Sequence, residues 1–148
     1  MAGIDGALKD VMAIDGVLGA ALVDSTSGMA LGAVGDSAGL DLQLAAAGTT
    51  DVVRAHQRAA EALGPHGEVL EDSLTTLAHQ YHLVRPLTSP GGKDLFLYLV
   101  LDRARANLAM ARHRVRRIDA ELVVWGRALG GRGRFSLGRG ARARRAGR

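Results

Sequence analysis

The sequence predicts an α/β (α+β) domain: a five-stranded antiparallel sheet between helices, in the order α-β-β-α-β-β-β-α. Three observations carry this. Two runs, Val17 to Val23 (VLGAALV) and Leu95 to Leu101 (LFLYLVL), are apolar without alternation, as strands covered on both faces are. Two longer segments repeat apolar residues at helical spacing. The strand pairs are joined by hairpin-length turns, which impose antiparallel pairing. Central strands that are apolar on both faces need helices on both faces, so the layers are α/β/α.

Each element has its own warrant. A short helix, about Ala7 to Ile14, precedes the first strand. Asp24-Ser25-Thr26-Ser27-Gly28 forms the next turn, with Gly28 supplying a positive φ, and Met29 to Val34 returns as the second strand. Asp41 caps a helix over Leu42 to Leu63 that Gly64-Pro65 stops. Ala45, Ala46, Ala47 and Gly48 give its first half little bulk. Two readings of that stretch stay open: a compositional bias toward alanine, and a helix shaved so that another backbone approaches closely. Val52, Ala59 and Leu63, flanked by Val53 and Ala60, are expected against the sheet, with Arg54, Gln57, Arg58 and Glu61 turned away.

The third and fourth strands, Asp72 to Ala78 and Tyr81 to Leu87, mix Thr, Val, Leu and Tyr with polar residues and so suit a half-exposed hairpin nearer an edge. Pro86 marks the end of the fourth. The loop TSPGGKD leads into the buried run at Leu95. Asn107 caps a last helix that runs to Trp125, its apolar stripe made by Leu108, Ala111, Val115, Ile118, Leu122 and Trp125.

Charge divides the chain in two. Residues 1–126 hold all 15 acids and 11 of the 19 Lys and Arg, a balance of −4; residues 127–148 hold 8 Arg and no acid, a balance of +8. The expected organisation is a domain over 1–125 and a disordered Arg/Gly-rich basic tail over 126–148. Phe135 and Leu137 are the tail's only large apolar residues after Leu129, too few to offset the ordering entropy of its backbone. The tail admits three partners: nucleic acid, anionic lipid or an acidic protein surface. The start of the chain has acids and glycines where a signal peptide needs a basic end and an apolar run, and no apolar stretch nears the roughly 20 residues of a membrane span. A cytoplasmic protein is expected.

Catalytic signatures are missing from the sequence. There is no cysteine, no phosphate-cradling loop ending in Lys and Ser/Thr, and no GxSxG nucleophile elbow. Ser25 and Ser27 beside Asp24 are residues a hairpin turn needs anyway. His79 and His82 flank a tight turn with no carboxylates at ligand spacing, so hydrogen-bonded or surface imidazoles are expected rather than a metal pair. Glu68, Glu71 and Asp72 read as a solvated loop and edge-strand protection. No catalytic residue, metal or cofactor is assigned.

Four segments together resemble the Roadblock/LC7 family: IDGVLGAALVDSTSGMAL, LDLQLAAAGTTDVVRAHQRAAEALG, EDSLTTLAHQYHLVRPL and LFLYLVLDRARANLAMARHRV. The likeness spans about Ile4 to Val124, and the Ala/Arg/Gly bias resembles actinobacterial members. It implies the Roadblock/longin-like fold, with dimers that pair their third strands and pack their second helices together. Here that interface would use Ala45, Gly48, Leu74, Thr75, Thr76 and Leu77. Family members regulate or scaffold Ras-like small GTPases or serve as dynein light chains; bacterial ones are encoded with such a GTPase and, in actinobacteria, with a sensor kinase.

The resemblance thus implies a non-enzymatic homodimeric regulator or scaffold of a bacterial Ras-like GTPase in signalling. Arg54, Gln57, Arg58 and Glu61 are then the candidate partner-binding residues. The alternative is a nucleic-acid-associated protein whose Arg-rich tail binds phosphate backbones.

Overall fold

The computed structural model describes residues 3–35 and 41–124. Trp125 and the whole basic tail lie outside the described residues. The order is α1 (Ile4–Met12), β1 (Val17–Asp24), β2 (Ala30–Gly35), α2 (Leu42–Glu61), β3 (Ser73–Thr76), β4 (Gln80–Pro86), β5 (Leu95–Asp102) and α3 (Leu108–Glu121). The strands form one sheet in the order β2-β1-β5-β4-β3, every neighbouring pair antiparallel.

Alternation along β5 sorts the core into two layers. Leu95, Leu97, Leu99 and Leu101 point to the face that α1 and α3 cover with Leu8, Val11, Val115, Ile118 and Leu122. Phe96, Tyr98 and Val100 point to the opposite face, where α2 sets down Leu42, Ala46 and Val53. Asp41 Oδ1 accepts from the Leu44 N–H at 3.0 Å and Asn107 Oδ1 from the Met110 N–H at 3.1 Å, so both expected caps are in place.

The β1–β2 turn uses the residues of DSTSG locally. Asp24 Oδ1 accepts from the backbone N–H and hydroxyl of Thr26, Ser27 Oγ accepts from the Met29 N–H, and Gly28 has φ +76°. Ser25 Oγ donates to the Asp94 carbonyl at 2.9 Å, tying this turn to the β4–β5 loop.

Several boundaries differ from expectation. α1 begins at Ile4, and β3 is only four residues long. α3 stops at Glu121 because Leu122 turns extended at its cap. The inward stripe of α2 is Leu42, Ala46, Thr50 and Val53, not Val52, Ala59 and Leu63. Val52 and Leu63 are 45% and 60% exposed. Both stripes have helical spacing, so periodicity could not choose between them. Thr50 is admitted to the inner one because its hydroxyl donates to the Ala46 carbonyl at 2.8 Å.

One buried ion pair fastens the β4–β5 loop to α3. Asp119, fully buried, accepts from Arg85 Nε at 3.0 Å, from the backbone N–H of Thr88 and Ser89, and from the Thr88 hydroxyl. With every acceptor site on the carboxylate used, its loss leaves a guanidinium that is only 12% exposed with the Glu71 carbonyl, at 3.4 Å, as its remaining partner. Asp119→Ala is expected to lower unfolding free energy by about 3–5 kcal/mol, read from the denaturant midpoint. A loss below about 1 kcal/mol would show that the loop does not depend on this pair.

Candidate functional site

Among the described residues β3 has a strand on one side only, so the described sheet ends there in a free edge. Register and hydrogen bonding orient that edge. β3 pairs with β4 as Ser73↔Val84, Leu74↔Leu83, Thr75↔His82 and Thr76↔Tyr81, and the Leu77 N–H donates to the Gln80 carbonyl at 2.8 Å. Because hydrogen-bonded pairs alternate in an antiparallel ladder, Ser73, Thr75 and Leu77 turn their backbone groups toward β4. Leu74 and Thr76 turn theirs to the open side. Thr75, Thr76 and Leu77 are exposed; Leu74 is half-buried against the α1/α3 core.

The edge is held in place from behind. Arg103 donates to the Leu77 carbonyl at 2.8 Å and lies over the Tyr81 ring at 5.3 Å, clamping the β3–β4 turn. On the other side of the hairpin, Arg112 pairs with Asp72 at 3.2 Å.

Between this edge and α2 runs a groove of about 310 Å³, lined on the helix side by Ala45, Gly48, Thr49 and Val52 and on the sheet side by Thr75, Leu77, Val84 and Tyr98. A Cβ placed on Gly48 would meet nothing within 4 Å, so nothing in the described fold requires glycine there. Of the small-residue stretch, Ala46 is consumed by the core, whereas Ala45 and Gly48 border the groove. His56 Nδ1 lies 3.1 Å from Ser73 Oγ, a contact that joins α2 to the start of β3.

His82 stands on the groove floor. Its Nδ1 lies 2.8 Å from the Tyr98 hydroxyl and its Nε2 lies 2.9 Å from Gln80 Oε1. An acceptor oxygen facing Nε2 fits a neutral ring protonated there, with Nδ1 accepting from Tyr98. Burial holds the imidazole below its ordinary pKa. Burial also raises the Tyr98 phenol, against a smaller opposite effect from its Thr49 hydrogen bond. Hydrogen bonding, as expected, accounts for His82, and His79 sits exposed in the turn. Tyr98 went unremarked in the sequence, although a lone phenol inside LFLYLVL was the available signal.

The four candidate partner-binding residues do not form one face. Arg54 is drawn back onto the β1–β2 turn, its Nε donating to the Ser25 carbonyl at 2.6 Å and its Nη2 to that of Thr26. The expectation that it points away is thus corrected: two carbonyls in reach satisfy its fork better than solvent does. Arg58 and Glu61 are exposed, and Gln57 is half-buried.

No protein-family model and no curated protein matches the sequence. Solved structures do match the fold. A Roadblock/LC7 domain from Streptomyces avermitilis superposes with a TM-score of 0.63 at 16% identity, over 80% of this chain and 92% of that one. MglB from Myxococcus xanthus gives 0.61 at 18% identity over 76% and 82% of the two chains. The gliding protein MglB from Thermus thermophilus gives 0.64 at 19% identity over 76% and 80%. The chain has the fold of these proteins, a Roadblock/LC7 domain among them. Among the described residues no helix is long and apolar enough to cross a membrane.

The side chains just placed can be tested in two ways. Arg54→Ala should speed hydrogen exchange through the 25–29 turn, with a stability loss of about 1–2 kcal/mol; unchanged exchange would show that the turn holds itself. Because folding lowers the His82 pKa, the unfolded chain binds the proton more tightly. Its contribution to stability is whole above the ordinary value of 6.5 and falls as pH drops from there through the lowered folded value. Urea unfolding of the protein and of His82→Gln should therefore show a steeper loss below pH 6.5 in the former. Parallel pH profiles would remove His82 as the source.

Proposed function

We propose that this chain, with its Roadblock/LC7 fold, works as a homodimeric regulator or scaffold of a bacterial Ras-like small GTPase, without a catalytic group of its own. The observation that carries the dimer is the free β3 edge beside the groove. Unpaired N–H and C=O groups at Leu74 and Thr76 are a template for another strand. A second copy related by a two-fold axis pairs β3 with β3, continues the sheet, and brings its own α2 against Ala45 and Gly48. Small residues there allow backbones to approach closely, which is the second of the two sequence readings of this stretch. The exposed apolar residues Leu44, Val52 and Leu77 then gain a cover.

The GTPase enters from the Roadblock/LC7 resemblance, to which the shared fold with MglB lends support. In the dimer, two copies of α2 offer Arg58 and Glu61 on one polar surface, and an Arg fork suits the carboxylates of a partner. Arg54 takes no part, being held by the β1–β2 turn. Regulation then proceeds by binding and reshaping the GTPase in the cytoplasm, within a signalling system to which a nearby sensor kinase also belongs.

Two substitutions separate the interface from the fold. Thr76→Pro removes an outward N–H, which an edge strand tolerates, and Gly48→Leu adds bulk into open space. Both variants should remain folded and sediment as monomers where the unmodified protein is a dimer at micromolar concentration. A monomeric unmodified protein, or dimers in both variants, overturns the interface. Arg58→Glu, assayed as a dimer against the genomically adjacent GTPase in both nucleotide states, should weaken binding by about tenfold or more. Unchanged binding removes this face of α2 from the reading.

A further inference from the structure

A second groove, of about 320 Å³, lies at the end of the sheet that carries the β1–β2 turn and the β4–β5 loop. Its apolar lining comes from Val69, in the segment between α2 and β3 and 83% exposed, and from the buried Leu87 and Phe96, with Ser25 and Gln57 beside them. Its rim is acidic, with Glu61 from the end of α2, Glu68 from the same segment as Val69, and Asp94 from the β4–β5 loop. Lys93 opposes them, so three carboxylates and one ammonium leave the lining at −2. Neither ion pair found among the described residues involves Glu61, Glu68 or Asp94.

The chain leaves the described fold beside this groove. A Cβ on Gly91 would lie 2.7 Å from the Val124 carbonyl oxygen, so the last described residue abuts the loop that supplies Lys93 and Asp94. The 24 residues beyond 124 include 8 Arg and no acid, and place Phe135 and Leu137 among Arg132, Arg134 and Arg139. Eleven extended residues, from 124 to 135, span roughly 35 Å. That exceeds the roughly 19 Å across five strands, so reach is no obstacle.

We propose that the chain's own Arg-rich segment, 127–148, docks in this groove, with Phe135 and Leu137 on the apolar walls and the flanking arginines on the rim carboxylates. The pattern of the segment matches that of the groove: an apolar pair inside a positive surround meets an apolar floor inside a negative one. Arginine suits the rim because its planar fork is weakly hydrated and meets carboxylates two bonds at a time. Glycines around the apolar pair make ordering costly, so the docked state is shallow and rests on charge. Gln57 and Glu61 line the same groove, so a docked segment masks that end of α2. The docking stands whether or not the partner of α2 is a GTPase.

The chain has no cysteine, so Ser136→Cys gives one site for a nitroxide label in the full-length protein. Paramagnetic broadening of backbone amide signals then maps where the segment lies. Broadening should centre on residues 68–70 and 93–94 at low salt. Signal there should recover at least about threefold in about 0.5 M NaCl, where the screening length falls to a few ångströms. It should recover equally when Glu61→Lys and Glu68→Lys are introduced. Broadening spread evenly over the surface, centred on the β3 groove, or indifferent to the two reversals overturns the proposal. So does broadening that appears only between copies, in a mixture of nitroxide-bearing chains with isotope-enriched unlabelled chains.

Discussion

The fold rests on the double burial of β5. From Leu95 to Leu101 no residue exceeds 2% exposure, and the run has no polar face to turn to water. Such a strand is stable only at the centre of a sheet with cover above and below. That requirement places β1 and β4 beside it, sends α2 across one face and assigns α1 with α3 to the other. The cover is unequal, and the inequality matters. A helix about 10 Å across spans about two strands at a spacing of about 4.8 Å. Two helices suffice for one face of a five-stranded sheet, whereas among the described residues α2 alone leaves the β4–β3 side of the other face uncovered. The groove beside β3 is the geometric remainder of one helix on five strands.

Three arginines of the body fasten loops to that frame. Arg85 ties the β4–β5 loop to α3 through Asp119, Arg54 ties the β1–β2 turn to α2, and Arg103 ties the β3–β4 turn to the end of β5. Arg54 and Arg103 donate to turn carbonyls, and Arg85 joins the Thr88 and Ser89 donors on the Asp119 carboxylate. The result is a rim of tied loops around a sheet whose β3 edge has no further strand among the described residues.

Both grooves flank α2 and draw on different parts of it. The one beside β3 uses the small residues of its first half and takes a surface without charge among its named lining side chains. The one near its end is ringed by carboxylates and suits a cationic segment. One helix therefore borders two chemically distinct grooves, the second beside the exposed residues of its last turns.

Local pattern by itself determined the element order, the antiparallel hairpins, the two helix caps and the burial of Val17–Val23 and Leu95–Leu101. These follow from periodicity, turn chemistry and hydrogen-bond stoichiometry, all of which act within a few residues. Tertiary structure decided what depends on who stands opposite. It chose the Ala46–Thr50–Val53 stripe of α2 over the equally periodic Val52–Ala59–Leu63, since only packing against Phe96 and Tyr98 distinguishes them. It withdrew Arg54 from the surface because the Ser25 and Thr26 carbonyls, 29 and 28 residues away, come within reach only in the folded sheet. It buried Asp119, whose place beside the stripe of Val115, Ile118 and Leu122 marks it as inward-facing without naming Arg85 as its partner. Side-chain chemistry is written locally, but the partner that satisfies a buried or clamped charge is fixed by contacts distant in the chain.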